Sequence, residues 1–283
     1  MQRKAWFEIH DHRLFPGFLR DLVTDALEAM WNARDIYGPI ASRLDRALAE
    51  SGARRVVDLC SGGGGPWMRL SRDMREQGGS VPEILLTDKY PNQGAFRQIR
   101  DATGSAIGFY SEPVDAMHIP RSLQGFRTMF STFHHFGPVE ARAILSDAFE
   151  QRQGIAIFEA AKRDWRTLAT MCVVPLLGLQ LGARIRPFRW ARVFWTYLVP
   201  VIPFTLWFDG VLSCLRTYSQ ADLRELIEGL ESADYRWEIG EESRSRVTIT
   251  YLMGHPMQGA EADEEEFAMA EVKKPASRGQ AGW

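Results

Sequence analysis

The residues with the clearest chemical potential lie in one short stretch, VVDLCSGGGGPW, at positions 56–67. An acid, Asp58, is followed by Cys60 and Ser61 and then by four consecutive glycines. A tight turn needs only one or two glycines, so four suggest that some group approaches the peptide backbone closely. Because the stretch joins an apolar segment to an amphipathic one, it predicts a ligand-binding turn between a strand and a helix.

Two further acids follow the next predicted strands. Asp88 ends the segment LLTD, where a carboxylate can accept hydrogen bonds from both hydroxyls of a ribose. Asp115 follows the third strand, in VDAM, where it can accept an adenine amino group. A P-loop is excluded because no Lys-Ser/Thr pair follows the glycines. The alternatives are a glycine turn without a ligand and, for Asp88, a helix cap.

The elements that must position these acids alternate between strands and helices. Apolar segments predict five strands: RRVVDLC, PEILLTD, SAIGFYS, FRTMFSTF and GIAIFEA. Amphipathic segments predict the helices between them: PWMRLSRDMREQ, GAFRQIRDAT and PVEARAILSDAFEQR. YRWEIGEE and RVTITYLMG predict a closing pair of strands. The alternation indicates an α/β fold with a seven-stranded, mostly parallel sheet and helices on both faces.

The chain is expected to have five parts. A helical N-terminal extension has one apolar face, formed by Leu19, Leu22, Val23, Ala26, Leu27 and Met30. The expected parts are this extension at 1–52, a Rossmann-like core at 53–160, an apolar helical insertion or lid after the fifth strand at 161–215, a closing helix with the last two strands at 216–255, and a disordered tail at 256–283.

The stretch at 56–67 and the two later acids resemble class I S-adenosylmethionine-dependent methyltransferases. The first motif of that family is an acid followed by glycines at alternating positions, which Asp58, Gly62 and Gly64 match. Cys60 stands where a glycine is usual, which puts only the geometry of the turn in question. The segments FEIHDHRLFP through VVDLCSGGGGP also resemble the start of a poorly described bacterial methyltransferase-like family.

The resemblance implies a Rossmann-like fold and S-adenosylmethionine as the cofactor. Asp88 matches the ribose-binding acid of the family, and Asp115 matches its adenine-contacting acid. Dinucleotide-binding folds lack the Asp-Ala pair after the third strand and place their second acid nearer the glycines. The residues expected to contact the cofactor are Asp58, Cys60, Ser61, Gly62, Gly64, Asp88, Lys89, Asp115, Ala116 and Phe133.

Three side chains at strand ends are candidates for catalysis. His134 and His135 follow the fourth strand, and Glu159 ends the fifth. A neutral imidazole could take a proton from the acceptor or orient it. The alternatives are core packing for both histidines and a helix cap or salt bridge for Glu159. Asp209, flanked by apolar residues, must be paired or functional if it is buried.

The insertion has an unusual composition. Residues 167–183 and 193–208 carry no charge, and four arginines lie between them: Arg184, Arg186, Arg189 and Arg192. A transmembrane hairpin is disfavoured, because the first run is short and the arginines would face the outer side. Two alternatives remain for 167–208. One is an apolar lid; the other is a contact with the membrane surface, with arginines at head groups and aromatic side chains inserted.

Composition narrows the classes of function. The net charge of −2 disfavours a nucleic-acid binder. Three scattered cysteines do not form a disulfide framework, and no His/Cys/Asp cluster has metal-ligand spacing, so no metal is expected. The N-terminal residues lack the apolar run of a signal peptide. We therefore expect a cytoplasmic protein, with peripheral contact at the inner membrane as the further expectation.

The sequence thus predicts a methyltransferase for an apolar small-molecule or lipid-like acceptor. The alternative is a non-catalytic cofactor-binding or membrane-associated interaction protein on the same fold. Neither the acceptor nor the oligomeric state follows from the sequence.

Overall fold

The computed structural model describes residues 3, 4, 6, 8–12, 14–76, 78, 81–244 and 247–257. The predicted disordered tail therefore lies outside the described residues from position 258 onward.

A single seven-stranded sheet forms the centre of the protein. Its strands are β1 (Arg55–Asp58), β2 (Glu83–Leu86), β3 (Ile107–Phe109), β4 (Phe126–Phe130), β5 (Ile155–Glu159), β6 (Tyr235–Arg244) and β7 (Val247–Pro256). The spatial order is β3-β2-β1-β4-β5-β7-β6. Strands β1 to β5 are parallel, and β7 runs antiparallel to both β5 and β6. The expected Rossmann-like, mostly parallel fold is confirmed.

Helices cover both faces of the sheet. They are α1 (Gly17–Arg34), α2 (Ala41–Ser51), α3 (Trp67–Glu76), α4 (Gln93–Ala102), α5 (Pro138–Glu150), α6 (Trp165–Met171), α7 (Val174–Gly182), α8 (Trp190–Val193), α9 (Val201–Arg216) and α10 (Gln220–Ile227). One core packs α2, α3 and α4 against the sheet, and the other packs α5 and α10. Every residue of β4 and β5 is buried, which explains their continuous apolar sequences.

The N-terminal extension and the insertion pack against each other. The apolar face of α1, including Leu22, Val23 and Met30, meets Ile202 and Leu206 of α9 in a third core. The sequence correctly predicted the buried face of α1. It gave no indication that the partner of this face is the insertion, which lies far along the chain.

A buried ion pair joins these two parts and changes the expected role of one arginine. Arg192 of α8 is only 1% exposed, and its Nη2 lies 2.7 Å from Oδ2 of Asp25 in α1. Asn92, which caps α4, donates to the other oxygen of Asp25 at 3.1 Å. Arg192 therefore cannot reach lipid head groups, and Arg189 is half-buried at 3.5 Å from the same carboxylate.

Within the described part of the chain, no single helix is both long and apolar enough to cross a membrane. The two helical stretches Trp190–Leu198 and Val201–Arg216, bent by 70° against each other, satisfy length and composition only when taken together.

Candidate functional site

The glycine turn after β1 has a largely left-handed backbone. Gly62, Gly64 and Gly65 have φ values of 55°, 113° and 60°. Cys60 also lies in this region, at φ 57°, where non-glycine residues are strained. The position at which the family usually has glycine therefore requires a glycine-like backbone here too, and Cys60 adopts it.

The group that approaches the glycines closely is partly the protein itself. A Cβ on Gly63 would lie 2.8 Å from the carbonyl oxygen of Thr24 in α1. A Cβ on Gly64 would lie 2.0 Å from Cδ1 of Ile99 in α4. At these two positions glycine allows the turn to pack beneath α1 and α4. Gly62 and Gly65 remain in the wall of a cavity.

Asp58 holds the turn from below. It is 1% exposed and accepts hydrogen bonds from the hydroxyls of Ser61 at 2.6 Å and Thr128 at 2.7 Å. Burial raises the pKa of Asp58 to about 6, although these hydrogen bonds act in the opposite direction. Its main contacts are within the protein, so Asp58 positions the turn.

Asp88 and Asp115 follow the neighbouring strands β2 and β3 at the carboxyl edge of the sheet. The carboxylate of Asp88 accepts the backbone N–H of Gly62 at 2.7 Å and that of Tyr90 at 2.7 Å. It is thus held beside the glycine turn. Asp115 forms an ion pair with Lys89, with 2.9 Å between Oδ2 and Nζ. Burial raises the pKa of Asp115, but Lys89 and the N–H of Met117 outweigh it and lower the pKa overall.

A cavity of about 1020 Å³ opens at the carboxyl ends of the strands. It extends from the glycine turn to the inner side of the insertion, and its volume suits a cofactor together with a second ligand. The predicted residues in its wall are Asp58, Cys60, Ser61, Gly62, Asp88, Lys89, His134 and His135. Apolar side chains from α1, α7 and α9 also line the cavity, among them Leu27, Val174, Leu177 and Leu206.

Five predicted site residues lie outside the described wall of this cavity. Phe133 is fully buried and packs against the ring of Tyr218, with 5.5 Å between centroids. Ala116 belongs to the same core beneath α5. Gly64 faces Ile99, Asp115 faces Lys89, and Glu159 is 3% exposed behind His134. Phe133 and Ala116 thus pack in the core, and their predicted contact with the cofactor stays a prediction.

The two adjacent histidines differ in environment. His134 is 1% exposed, and its Nδ1 lies 2.7 Å from Oε2 of Glu159. Burial lowers the pKa of His134, but the negative charges of Glu159 and Glu8 outweigh it and raise the pKa to about 10. His134 is thus held between two carboxylates, and its expected role as a base stays a prediction. The side chain of His135 is 17% exposed and borders the cavity.

Glu8 is a site residue that the sequence did not reveal. It is 1% exposed, with its carboxylate 3.2 Å from Nε2 of His134 and 3.7 Å from Nε2 of His135. Burial raises the pKa of Glu8, but the neighbouring histidines outweigh it and lower the pKa to about 2. No local pattern around Glu8 distinguishes it from a surface acid. Its role depends on a contact across more than a hundred residues.

Asp209 brings Glu8 to this place. Its carboxylate accepts the backbone N–H groups of Ile9 at 2.7 Å and His10 at 3.2 Å, and it contacts Nδ1 of His10 at 2.7 Å. The prediction that a buried Asp209 would be paired is confirmed. The N-terminal segment is thereby fixed beside His134 and His135 at the wall of the cavity.

Comparison with known proteins gives only distant similarities. No family model matches the chain, and no curated protein matches it. The solved structures that it resembles include an O-methyltransferase family protein from Burkholderia thailandensis, with 16% identity over 78% of this chain and 56% of that one and a TM-score of 0.43. Two other similar structures, described next, contain bound SAH.

The plantazolicin methyltransferase has 9% identity over 85% of this chain and 96% of that one, with a TM-score of 0.49. The magnesium protoporphyrin IX methyltransferase from Synechocystis has 12% identity over 84% and 97%, with a TM-score of 0.47. The chain spans about half the length of the first protein and of the mitomycin 7-O-methyltransferase, of which it covers 52%. At such identities the similarity concerns the course of the chain and not the residues of the site.

Proposed function

We propose that the protein is an S-adenosylmethionine-dependent methyltransferase acting on an apolar small-molecule or lipid-like acceptor. The observation that supports this most directly is that Gly62 of the left-handed turn donates to Asp88 and that both residues border the cavity. This contact lies beside the point between β1 and β4 where the strand order reverses. Ligands of open α/β sheets bind at such a point.

The residues of the turn would bind the cofactor through backbone and carboxylate. Gly62 offers a backbone without a side chain, and Asp88 offers acceptor oxygens for the ribose hydroxyls. When bound, S-adenosylmethionine supplies an electrophilic methyl group on its sulfonium. The protein then has to align the acceptor with that methyl group and exclude water. The cover formed by α1 and the insertion is suited to exclude water.

The cavity wall favours an apolar acceptor with a polar reacting group. Val174 and Leu177 of α7 and Leu206 of α9 border the cavity. His135 lies where β4 ends and is the more exposed of the two histidines, so we assign it the contact with the reacting group. His134 and Glu159, both buried, position the loop that holds His135.

Calorimetry with S-adenosylmethionine tests the cofactor. Asp88→Ala should weaken binding by about 1.5–3 kcal/mol, or about 10- to 150-fold, because charge-assisted hydrogen bonds to the ribose are lost. Asp88→Asn retains one carbonyl oxygen and should weaken binding less. Asp101→Ala, an exposed acid of α4, is the matched control. Heat from a nicotinamide dinucleotide and none from S-adenosylmethionine would refute the proposed cofactor.

A non-catalytic binding protein on the same fold is the second candidate. Asp58 is held below the turn and Asp88 beside it, and both acids are retained together with the glycines; this combination favours the enzyme. Incubation with labelled cofactor and a lipid extract of the source cell separates the two functions. A methylated product in the extract supports the enzyme. Cofactor binding without any product, across extracts and small aromatic acceptors, supports the binding protein.

We further propose that the insertion contacts an anionic membrane surface. Trp190 and Leu198 are 78% and 73% exposed, and Phe194 and Tyr197 lie beside them in sequence with 42% and 47% exposure. Arg184 and Arg186 are exposed as well, unlike Arg192. Exposed aromatic side chains next to exposed arginines suit the interface of a membrane. The expected cytoplasmic location at the inner membrane stays a prediction.

Flotation with vesicles containing phosphatidylglycerol tests this contact. The double variant Arg184→Gln/Arg186→Gln should float less, and high salt should release the original protein, because the attraction is electrostatic. The matched control is Arg72→Gln/Arg75→Gln, which removes two exposed arginines from α3. Equal flotation of both double variants would contradict the membrane contact. The insertion would then only cover the cavity.

A further inference from the structure

Three side chains from two distant parts of the chain meet at the wall of the cavity. Glu8 comes from the N-terminal segment, whereas His134 and His135 follow β4. Their carboxylate oxygens and Nε2 atoms lie within 4.8 Å of one another. Two imidazoles and one carboxylate form a common ligand set for divalent first-row transition ions. Glu8 lies more than a hundred residues before the two histidines in the sequence, so no metal site was expected from the spacing of the residues.

The distances fit an ion between the three groups. Bonds of about 2.0–2.1 Å in tetrahedral geometry require ligand atoms about 3.3–3.5 Å apart. Nε2 of His134 lies 3.2 Å from one oxygen of Glu8, and Nε2 of His135 lies 3.7 Å from the other. Small rotations of the side chains would therefore be enough to coordinate an ion.

Glu159 orients His134 as the partners of metal ligands do. Its Oε2 contacts Nδ1 of His134 at 2.7 Å, and its Oε1 accepts the backbone N–H of the same residue at 3.1 Å. A carboxylate on one ring nitrogen commonly fixes the other nitrogen toward a metal. Nε2 of His134 is fully buried and faces the carboxylate of Glu8 at 3.2 Å.

The charges around the cluster accommodate a cation. Glu8, Glu159 and Asp209 are all at least nine-tenths buried. Two guanidinium groups lie beside the cluster: Nη1 of Arg216 is 3.9 Å from Glu8, and both Arg216 and Arg3 donate to the carbonyl oxygen of His134.

A second group of possible ligands shares Glu8 but is already engaged. Nδ1 of His10 lies 2.7 Å from Asp209 and 3.8 Å from Glu8. Asp209 also accepts two backbone N–H groups of the N-terminal segment. This group therefore fastens the segment and leaves Glu8 to face the two adjacent histidines.

We infer that Glu8, His134 and His135 bind one divalent first-row transition ion, with Glu159 as the positioning residue. His135 borders the cavity, so an open coordination position would face the acceptor. An acceptor with an oxygen or nitrogen donor would bind there directly. Only this last step rests on the proposed function; binding of the ion does not.

Equilibrium dialysis against Zn²⁺, after treatment with a chelator and without cofactor, tests the inference on the full chain lacking an affinity tag. One Zn²⁺ per chain should be retained, and Zn²⁺ should raise the melting temperature. His135→Ala should weaken Zn²⁺ binding by more than about 100-fold, and Glu159→Gln by about 10- to 100-fold. Co²⁺ should give a visible absorption spectrum that His135→Ala abolishes.

His118→Ala, a histidine outside the cluster, is the matched control and should retain Zn²⁺ as the original protein does. Retention of less than one Zn²⁺ per chain at micromolar concentration would overturn the inference. So would equal affinity of His135→Ala and His118→Ala. Because His135 is partly exposed, its variant should fold even if changes at the buried Glu159 prevent folding. S-adenosylmethionine is absent throughout, so failure here leaves the proposed cofactor untouched.

Discussion

Cys60 and Ser131 hold left-handed backbone at the ends of two neighbouring strands. Their φ values are 57° and 49°, after β1 and β4 respectively. Each such residue costs about 1–2 kcal/mol. The hydroxyl of Ser131 contacts that of Tyr37 at 2.7 Å and accepts the N–H of Ala160, so local contacts stabilise the strained residue. Strain of this kind concentrates at functional edges of folds.

Cys60→Gly should therefore stabilise the protein. Relief of the strain exceeds the entropy that glycine adds to the unfolded chain, for a net gain of about 0.5–1 kcal/mol. Urea denaturation measures this change. Cys172→Gly is the control: Cys172 has φ −66°, so glycine relieves no strain there and should destabilise. A loss of stability in both variants would contradict the assigned strain.

Single residues were predictable from sequence where the signal is local. Asp58 and Asp88 lie at the ends of apolar strands, so the alternation of strands and helices in the sequence was enough to place them at the carboxyl edge of the sheet. The environment of His134 was not predictable, because Glu8 and Glu159 reach it from other segments. The same holds for Phe133, whose neighbour Tyr218 determines that it faces the core.

At the scale of elements, α1 combines an apolar face with a poorly solvated acid. Glu28 lies on α1 and accepts a hydrogen bond from Asn32 at 2.8 Å. Burial, with a smaller contribution from the charge of Asp25, raises the pKa of Glu28 from 4.5 to about 7. The folded protein thus binds a proton at Glu28 that the unfolded chain releases. Stability from this source is present below pH 4.5 and is lost as the pH rises through 7.

Glu28→Gln should make the protein less sensitive to pH. The variant should gain stability relative to the original protein between pH 4.5 and 7, by up to about 3 kcal/mol, and the gain should be constant above pH 7. Urea denaturation at several pH values measures the difference. Glu76→Gln, on the exposed side of α3, should show no such gain. A gain that grows as the pH falls would have the wrong sign.

The elements themselves were largely predictable, but their partners were not. Alternating apolar and amphipathic segments predicted β1 to β7 and the helices between them, and α10 is capped by Ser219, a residue type favoured as an N-cap. The apolar face of α1 was correct too. Its contact with α9 depends on tertiary packing across the chain, and four similar arginines in sequence gave no sign that Arg192 alone is fully buried.

At the scale of the whole molecule, the insertion, α1 and the core are joined through one buried carboxylate. Asp25 lies in α1, Arg192 in the insertion, and Asn92 at the start of α4. Arg192 also donates to the carbonyl oxygens of Ile185 and Pro187. Removal of its charge would leave a buried carboxylate with weaker partners.

Arg192→Met should destabilise the protein by about 3 kcal/mol, because breaking a buried ion pair leaves one charge uncompensated. Thermal and urea denaturation measure the loss. Arg184→Met changes an exposed arginine of the same insertion and should leave stability within about 0.5 kcal/mol of the original value. Equal stability of the two variants would show that Asp25 does not depend on Arg192.

The Asp25–Arg192 pair also bears on how such a protein can evolve new specificities. A recombination event that replaced residues 161–215 alone would bring in a new cavity wall but remove the counter-charge of Asp25. The same event would remove Ile202 and Leu206 from the apolar face of α1. Natural or engineered chimaeras with an altered cavity are therefore expected to inherit α1 and the insertion together, although more than a hundred residues of the core lie between them.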